Sequence, residues 1–198
     1  MKKFLVLMLA LLTMLSFVAC SLWQDEEAPA GAFEKFETAL DQTPASKVTV
    51  ETKMTSELGT LNSKIATVFN PDGSAKINYT IENFNENFDT DSIKTTKTGE
   101  LTLNANGSYS DGGEFVGSLG TAVANVNLNL IEEKLGDYKA DGNVLTATVK
   151  EADTAAVFGT AIGADVSFAL TISNNRVISV TMNYEIALGA VEVVCSYN

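Results

Sequence analysis

The chain has 198 residues, a formal net charge of −12 and no histidine. A charge of this sign repels phosphate backbones, and no cluster of Lys and Arg offsets it, so the composition argues against nucleic-acid binding. The lack of histidine removes the usual proton shuttle, the Ser and Cys triads that depend on it and His-based metal sites, which argues against an enzyme.

The start of the chain has the layout of an export signal. Lys2 and Lys3 provide a positive start, residues 4–18 form an uncharged run, and the small Ala19 precedes Cys20. The uncharged run is shorter than the roughly 20 apolar residues that a membrane-spanning helix needs. The sequence therefore favours a cleaved signal over a permanent transmembrane segment.

This segment resembles the leaders of bacterial lipoproteins, whose lipobox would correspond to Phe17–Cys20, although Phe17 stands where Leu is usual. The resemblance implies removal of residues 1–19 as a signal peptide and attachment of diacylglycerol, with fatty chains such as palmitate, to the Cys20 thiol. Each buried methylene contributes about 0.8 kcal/mol, so two or three chains hold a protein on a bilayer. We expect an extracytoplasmic protein anchored to a bacterial cell membrane, inner or outer; an ordinary secreted protein and an uncleaved anchor are the alternatives.

Residues 20–31 are predicted to form a flexible tether. They consist mainly of Asp, Glu, Ala, Pro and Gly, and Trp23 is their only large ring. Such a composition cannot bury a core. A single antiparallel β-rich domain is then predicted over residues 32–198.

The domain begins with a short amphipathic helix. Charged residues occupy the opposite side from an apolar stripe, and residues 42–44 end the helix. The apolar positions recur at helical spacing: Ala32, Phe33, Phe36, Ala39 and Leu40. We expect this stripe to pack as a lid on a sheet.

Most of the remaining chain alternates apolar and polar residues, which predicts strands with one wet face. The turn at residues 70–73 contains Pro and Gly and predicts a hairpin, and the turn at Asn174 and Asn175 opens the closing meander. The predicted strands are 47–54, 63–69, 75–82, 92–104, 108–111, 143–149, 166–172, 178–186 and 190–197.

Two segments are predicted to interrupt the strands with helical turns. Residues 128–135 contain three consecutive charges, and residues 151–158 carry small apolar side chains in their second half. The Gly-rich residues 111–120 are predicted to be a loop. This loop lacks the lysine and the following helix of a phosphate cradle, so nucleotide binding is not expected.

No catalytic, metal or cofactor site is predicted. Cys195 has no partner if Cys20 is lipidated, and its place in an alternating strand indicates a small core residue rather than a reactive thiol. Two carboxylate pairs, Glu132 with Glu133 and Asp89 with Asp91, lie in polar stretches typical of solvated surface. The oxygens of Asp89, Asp91 and Ser92 could hold calcium, but they lack the glycine and distal glutamate of an EF-hand loop.

The order of helix, antiparallel strands, short helical insertion and closing meander resembles the LolA-like half-barrel of periplasmic lipoprotein carriers and of LppX-like lipid-carrying lipoproteins. The resemblance implies a mainly β (α+β) fold, with a curved antiparallel sheet or half-barrel around the N-terminal helix. It also implies an apolar ligand cavity between helix and sheet. Its implied lining is Phe33, Phe36, Phe168, Leu170, Ile178, Val180, Met182 and Tyr184. The alternative is that these side chains fill a closed core.

Two function classes follow from these patterns. The first is a non-enzymatic carrier or binding lipoprotein that holds a lipid or another apolar ligand between helix and sheet. The second is a structural or interaction module of the cell envelope, whose core is filled and whose polar sheet face meets a protein partner. An open apolar cavity favours the first class, whereas a filled interior with an exposed patch favours the second.

Overall fold

The computed structural model describes residues 32–41, 44–57, 59–84, 95–106, 108–110 and 124–198. The predicted signal peptide, Cys20, the tether and the Gly-rich segment at 111–120 lie outside these residues. The candidate calcium oxygens of Asp89, Asp91 and Ser92 lie outside them as well. All of these therefore stay predictions.

The fold is mainly β, as predicted. Within the described residues ten antiparallel strands form one curved, open sheet, accompanied by two α-helices and two 3₁₀ turns. The strands are β1 (Lys47–Ser56), β2 (Gly59–Phe69), β3 (Ala75–Phe84), β4 (Thr95–Leu103), β5 (Tyr109–Ser110), β6 (Leu135–Asp141), β7 (Val144–Val149), β8 (Val166–Ser173), β9 (Arg176–Ile186) and β10 (Gly189–Tyr197). The helices are α1 (Ala32–Leu40) and α2 (Thr154–Phe158), and the 3₁₀ turns are Glu132–Lys134 and Glu151–Asp153.

The strand order across the sheet is β5-β4-β3-β2-β1-β10-β9-β8-β7-β6. Two five-stranded meanders therefore meet where the first strand pairs with the last. The register of that pair runs from Val48 opposite Tyr197 to Thr55 opposite Ala190. The sheet has two ends: the proximal end, where β1 begins and β10 finishes, and the distal end, where the β1–β2 and β9–β10 hairpins turn.

Paired residues share a face, so the register defines one inner face across the strands. A single cross-strand row on that face runs through Leu145, Leu170, Val180, Cys195, Val50, Ile65, Tyr79 and Gly99. The outer face carries mainly Thr, Ser, Asn and charged side chains. This division explains the alternation in the sequence, because one face is covered and the other meets water.

The main core lies on the inner face of β6–β10. Helix α1 contributes the buried Phe36 and Ala39, and α2 contributes Val157 and Phe158. The Phe158 and Phe168 rings meet edge to face, with their centroids 5.7 Å apart. Because Phe36 and Ala39 are buried here and Phe33 and Leu40 pack against the same core, the helix acts as the cover of this half of the sheet.

A smaller cluster lies on the inner face of the other half. It consists of Ile65, Ile77 and Leu101, with Tyr79, Leu103 and Tyr109 packed against it. Gly99 lies under Tyr79, since a Cβ at Gly99 would come within 2.3 Å of the Tyr79 hydroxyl oxygen. The tyrosine therefore fills the space that a side chain on β4 would otherwise occupy.

The prediction for residues 128–135 was wrong in its extent. Residues 126–131 form neither helix nor strand, and Leu128 and Leu130 are buried while Asn129 between them is exposed. Only Glu132–Lys134 forms a 3₁₀ turn, and β6 follows directly, although no strand was predicted there. The prediction for 151–158 is confirmed as a 3₁₀ turn that continues into α2.

Candidate functional site

Most of the residues predicted to line a ligand cavity belong to the packed core. Phe36, Phe168, Leu170 and Val180 are buried, and Phe33, Met182 and Tyr184 are half-buried against them. Ile178 differs, because it is 41% exposed. Among the eight candidates, Ile178 alone lines the cavity described next.

A cavity of about 240 Å³ lies at the proximal end of the sheet, between the last turn of α1, the segment 124–126 and the strand ends. We call it the end cavity. Its lining is Ala39, Leu40, Pro44, Ala45, Ala124, Asn125, Val126, Ser173, Asn174, Arg176, Val177, Ile178, Tyr197 and Asn198.

Backbone hydrogen bonds hold the separate segments of the end cavity together. The Ala45 N–H donates to the Ala124 carbonyl at 3.0 Å, which ties the loop after α1 to the segment before β6. The Lys47 N–H donates to the Asn198 carbonyl and the Asn198 N–H donates to the Lys47 carbonyl, each at 2.9 Å. These bonds extend the β1–β10 pairing to the edge of the cavity.

The β8–β9 turn places a cation beside the cavity. Asn174 and Asn175 both have left-handed backbone, with φ of 51° and 57°, as a two-residue hairpin turn with matched twist requires. Arg176 follows at once as the first residue of β9, opposite Ser173. Arg176 is exposed and is the only arginine in the sequence.

The lining divides into apolar and polar parts. The apolar part comes from α1, segment 124–126 and β9, and it includes Leu40, Val126, Val177 and Ile178. The polar part includes the residues Asn125, Ser173, Asn174, Arg176 and Asn198. The end cavity is therefore amphipathic.

Tyr197 contributes a neutral phenol to this lining. Burial raises the pKa of Tyr197 well above its usual range, and the neighbouring Cys195 adds to the rise. Burial also raises the pKa of the Cys195 thiol, which a hydrogen bond with Tyr197 opposes in part. Neither group is ionised at neutral pH, so they bring no negative charge to this side of the cavity.

A second depression, of about 390 Å³, lies on the outer face of the central strands. We call it the outer groove. Its lining is Glu51, Thr52, Lys53, Asn62, Ser63, Lys64, Thr80, Glu82, Glu192 and Val194. Charges alternate across it: Lys64 pairs with Glu51 at 2.6 Å, and the register sets Lys53 opposite Glu192. These side chains are exposed, so water and salt screen the pairs.

Several other ionisable groups of the described residues form local pairs. Lys134 pairs with Asp153 and Lys150 pairs with Asp165, while the Tyr138 hydroxyl donates to Glu132 at 2.6 Å. Among the residues that the structure describes, no group of three or more Cys, Asp or Glu side chains is arranged to hold a metal ion.

Comparison with known proteins gives no assignment. No family model matches the chain, and no curated protein matches it in sequence. In the part of the chain that is described, none of the helices combines the length and the apolar character that crossing a membrane requires.

Sequence reasoning missed most of the end cavity. Arg176 and Asn125 carry no motif, and Tyr197 was predicted only as a strand residue. One signal was present in the sequence: a single arginine in an acidic chain, directly after two asparagines that favour a tight turn.

Proposed function

We propose that this protein is a lipid-anchored, extracytoplasmic lipoprotein without enzymatic activity that binds a small ligand in the end cavity. The observation that carries the proposal is the cavity itself, which combines an apolar wall with a few polar side chains between a helix and a sheet. Small-molecule sites have this character. The site differs from the one that the half-barrel resemblance implies, because Phe36, Phe168 and Leu170 fill the core beneath α1.

The half-barrel relationship is part of the proposal. It is supported by an open antiparallel sheet whose inner face receives α1, with Phe36 and Ala39 buried against the closing strands. A LolA-like domain would place its ligand against the same side of the sheet.

The lipid anchor is proposed from the leader sequence, in which Ala19 precedes Cys20 after an uncharged run. Mass analysis of protein from its native cells tests it. We expect a chain that begins at Cys20 and carries added acyl mass, and we expect the Cys20→Ala protein in the soluble fraction. An intact Met1 with an unmodified Cys20 would contradict the anchor.

Ligand binding is tested separately, by native mass spectrometry of the soluble Cys20→Ala protein without detergent. We expect an added mass that disappears on denaturation. The control is an Ile178→Trp variant, in which the exposed Ile178 is replaced by a larger ring that occupies part of the end cavity. A bare chain in both proteins would contradict ligand binding.

A second candidate function is favoured by the outer groove. Its alternating charges on a rigid sheet face suit a protein partner with complementary charges, as an envelope interaction module requires. Crosslinking in native membranes tests this function. Lys53→Glu and Lys64→Glu should abolish a crosslinked partner, whereas Lys139→Glu on the exposed edge strand β6 should keep it.

A further inference from the structure

We infer that the outer groove docks a second copy of this chain, in a two-fold contact whose axis runs between the lysines and the glutamates of the groove. The inference rests on the second candidate function and deepens it, because it names the protein partner. The evidence is the arrangement of the charges in the groove, which carry both signs in a regular pattern across the strands.

Four charges form two parallel lines across the central strands. The register sets Lys64 on β2 opposite Glu51 on β1, and it sets Lys53 on β1 opposite Glu192 on β10. Glu51 and Lys53 are two residues apart on one strand, so all four side chains share the outer face. The two lysines therefore lie along one line oblique to the strands. The two glutamates lie along a parallel line, offset by one strand or about 4.8 Å.

Lys53 and Glu192 keep their charges open. Both residues are exposed, and neither side chain forms an ion pair or a hydrogen bond with another residue that the structure describes. Lys64 and Glu51, by contrast, pair with each other within the chain at 2.6 Å. Lys53 and Glu192 are thus the charges of this pattern that can bind opposite charges on a partner.

A second copy matches this pattern. When two identical faces meet about a two-fold axis, each residue on one side of the axis faces its counterpart from the other side. An axis in the plane of the sheet, between the lysine line and the glutamate line, sets Lys53 of each copy against Glu192 of the other. A partner with charges of one sign would instead meet repulsion from one of the two lines.

The rest of the groove supports contact between two such faces. Val194 and Thr80 are half-buried in its lining, and the lysine side chains cover apolar surface with their methylene stems. The net charge of −12 makes two copies repel each other at long range, but physiological salt screens that repulsion beyond about 8 Å. The matched charges act at contact distance, where they fix the orientation of the two copies.

The test is sedimentation equilibrium of the soluble Cys20→Ala protein at physiological salt, for which we expect a monomer–dimer equilibrium. Lys53→Glu and Glu192→Lys should each raise the dissociation constant of the dimer about tenfold or more, because each sets like charges against each other. An equimolar mixture of the two variants should form a heterodimer, since each copy supplies the charge that the other lacks. The matched control Lys47→Glu makes the same change in net charge as Lys53→Glu, on the same strand but outside the groove. It should change the dissociation constant by less than about twofold.

Three results would overturn the inference. If the Cys20→Ala protein without further substitution stays monomeric, no second copy docks. If both charge reversals keep the dimer, another surface forms it. If the two variants are folded but their mixture forms no heterodimer, the lysine of one copy does not face the glutamate of the other.

A measurement without variants keeps the inference testable if a charge reversal does not fold. Isotopically light and heavy copies of the Cys20→Ala protein are mixed and treated with a zero-length reagent that couples amines to carboxylates. We expect a peptide pair that joins Lys53 of one label to Glu192 of the other, and its absence would contradict the contact. Crosslinking in native membranes decides separately whether the outer groove binds a different protein, so the second candidate function can survive the loss of this dimer.

Discussion

Gly189 lies directly against the carbonyl oxygen of Thr55, at the distal end of the pair formed by the first and last strands. A Cβ built at Gly189 would come within 2.1 Å of that oxygen, and the residue has a φ of 140°. A side chain is therefore excluded both by the neighbouring backbone and by the local conformation. The contact fixes how closely the β9–β10 hairpin approaches the end of β1.

This contact predicts that Gly189→Ala destabilises the fold by about 2 kcal/mol or more, since overpacking adds to backbone strain. Gly142→Ala is the matched control, because Gly142 also has a positive φ but has no atom within 4 Å of its built Cβ. We expect Gly142→Ala to lower the free energy of unfolding by about 1 kcal/mol. Urea unfolding measures both, and equal midpoints for the two variants would show that the Thr55 contact carries no cost.

The main core predicts a sharp contrast between two leucines. Leu170 is fully buried on β8, whereas Leu188, in the β9–β10 turn, is 68% exposed. Leu170→Ala should cost about 2–5 kcal/mol, because it removes buried methyl groups and leaves a cavity. Leu188→Ala should change the free energy of unfolding by less than about 0.5 kcal/mol. If Leu170→Ala lowers the free energy of unfolding only slightly, this part of the core is loosely packed.

Acid stability should depend on Asp165. The Lys150 ammonium donates to its carboxylate at 2.7 Å and the Glu151 N–H donates at 2.9 Å, and these bonds lower the pKa of Asp165 below its ordinary value of 3.8. The folded state therefore gains stability from Asp165 above that value and loses it as the pH falls through the lower, folded pKa.

Asp165→Asn should accordingly flatten the decline in stability on acidification below about pH 4. Thermal melts between pH 7 and pH 2 measure the effect, with Asp141→Asn on the exposed end of β6 as the control. If the melting temperatures of the wild type and of Asp165→Asn fall in parallel as the pH is lowered, Asp165 does not contribute to the loss of stability in acid.

Cys195 should react slowly in the folded protein. Burial raises the pKa of its thiol, so less thiolate is present at neutral pH. In the Cys20→Ala protein Cys195 is the only thiol in the sequence. Its modification by a disulfide reagent at pH 8 should be slower in the folded protein than in urea, because burial and the raised pKa both leave less reactive thiolate. Equal rates in the folded and unfolded protein would show that the thiol is accessible and unperturbed.

The strands that sequence reasoning predicted best have one wet face and intact alternation. Strands β3 and β8 are examples, because every second side chain is covered by the core. In β9 the predicted alternation fails at its start, where a register shift leaves Ile178 exposed. Strand β6 escaped prediction, since a bulge between Gly136 and Lys139, with Asp137 at a φ of 48°, breaks the period of two. The three consecutive charges at Glu132–Lys134 led to the prediction of a longer helical segment. The structure has only a single 3₁₀ turn there.

The end cavity was harder to predict than the strands because it joins distant parts of the chain. Leu40, Val126, Arg176 and Tyr197 meet only when α1, segment 124–126, the β8–β9 turn and the end of β10 come together. No local pattern encodes that meeting. The pairing of β1 with β10 likewise has no sequence signal, since each strand alternates as any edge or central strand would.

The central position of the β1–β10 pair has a consequence for biogenesis. Each meander can assemble from neighbours in the chain, but the two halves join only after residues 189–197 have emerged, and closing so long a loop is slow. A chain from which residues 189–197 have not yet emerged thus lacks the strand that joins the two halves of its sheet. The topology itself delays completion of the sheet until the segment farthest along the described chain is available to join the two halves.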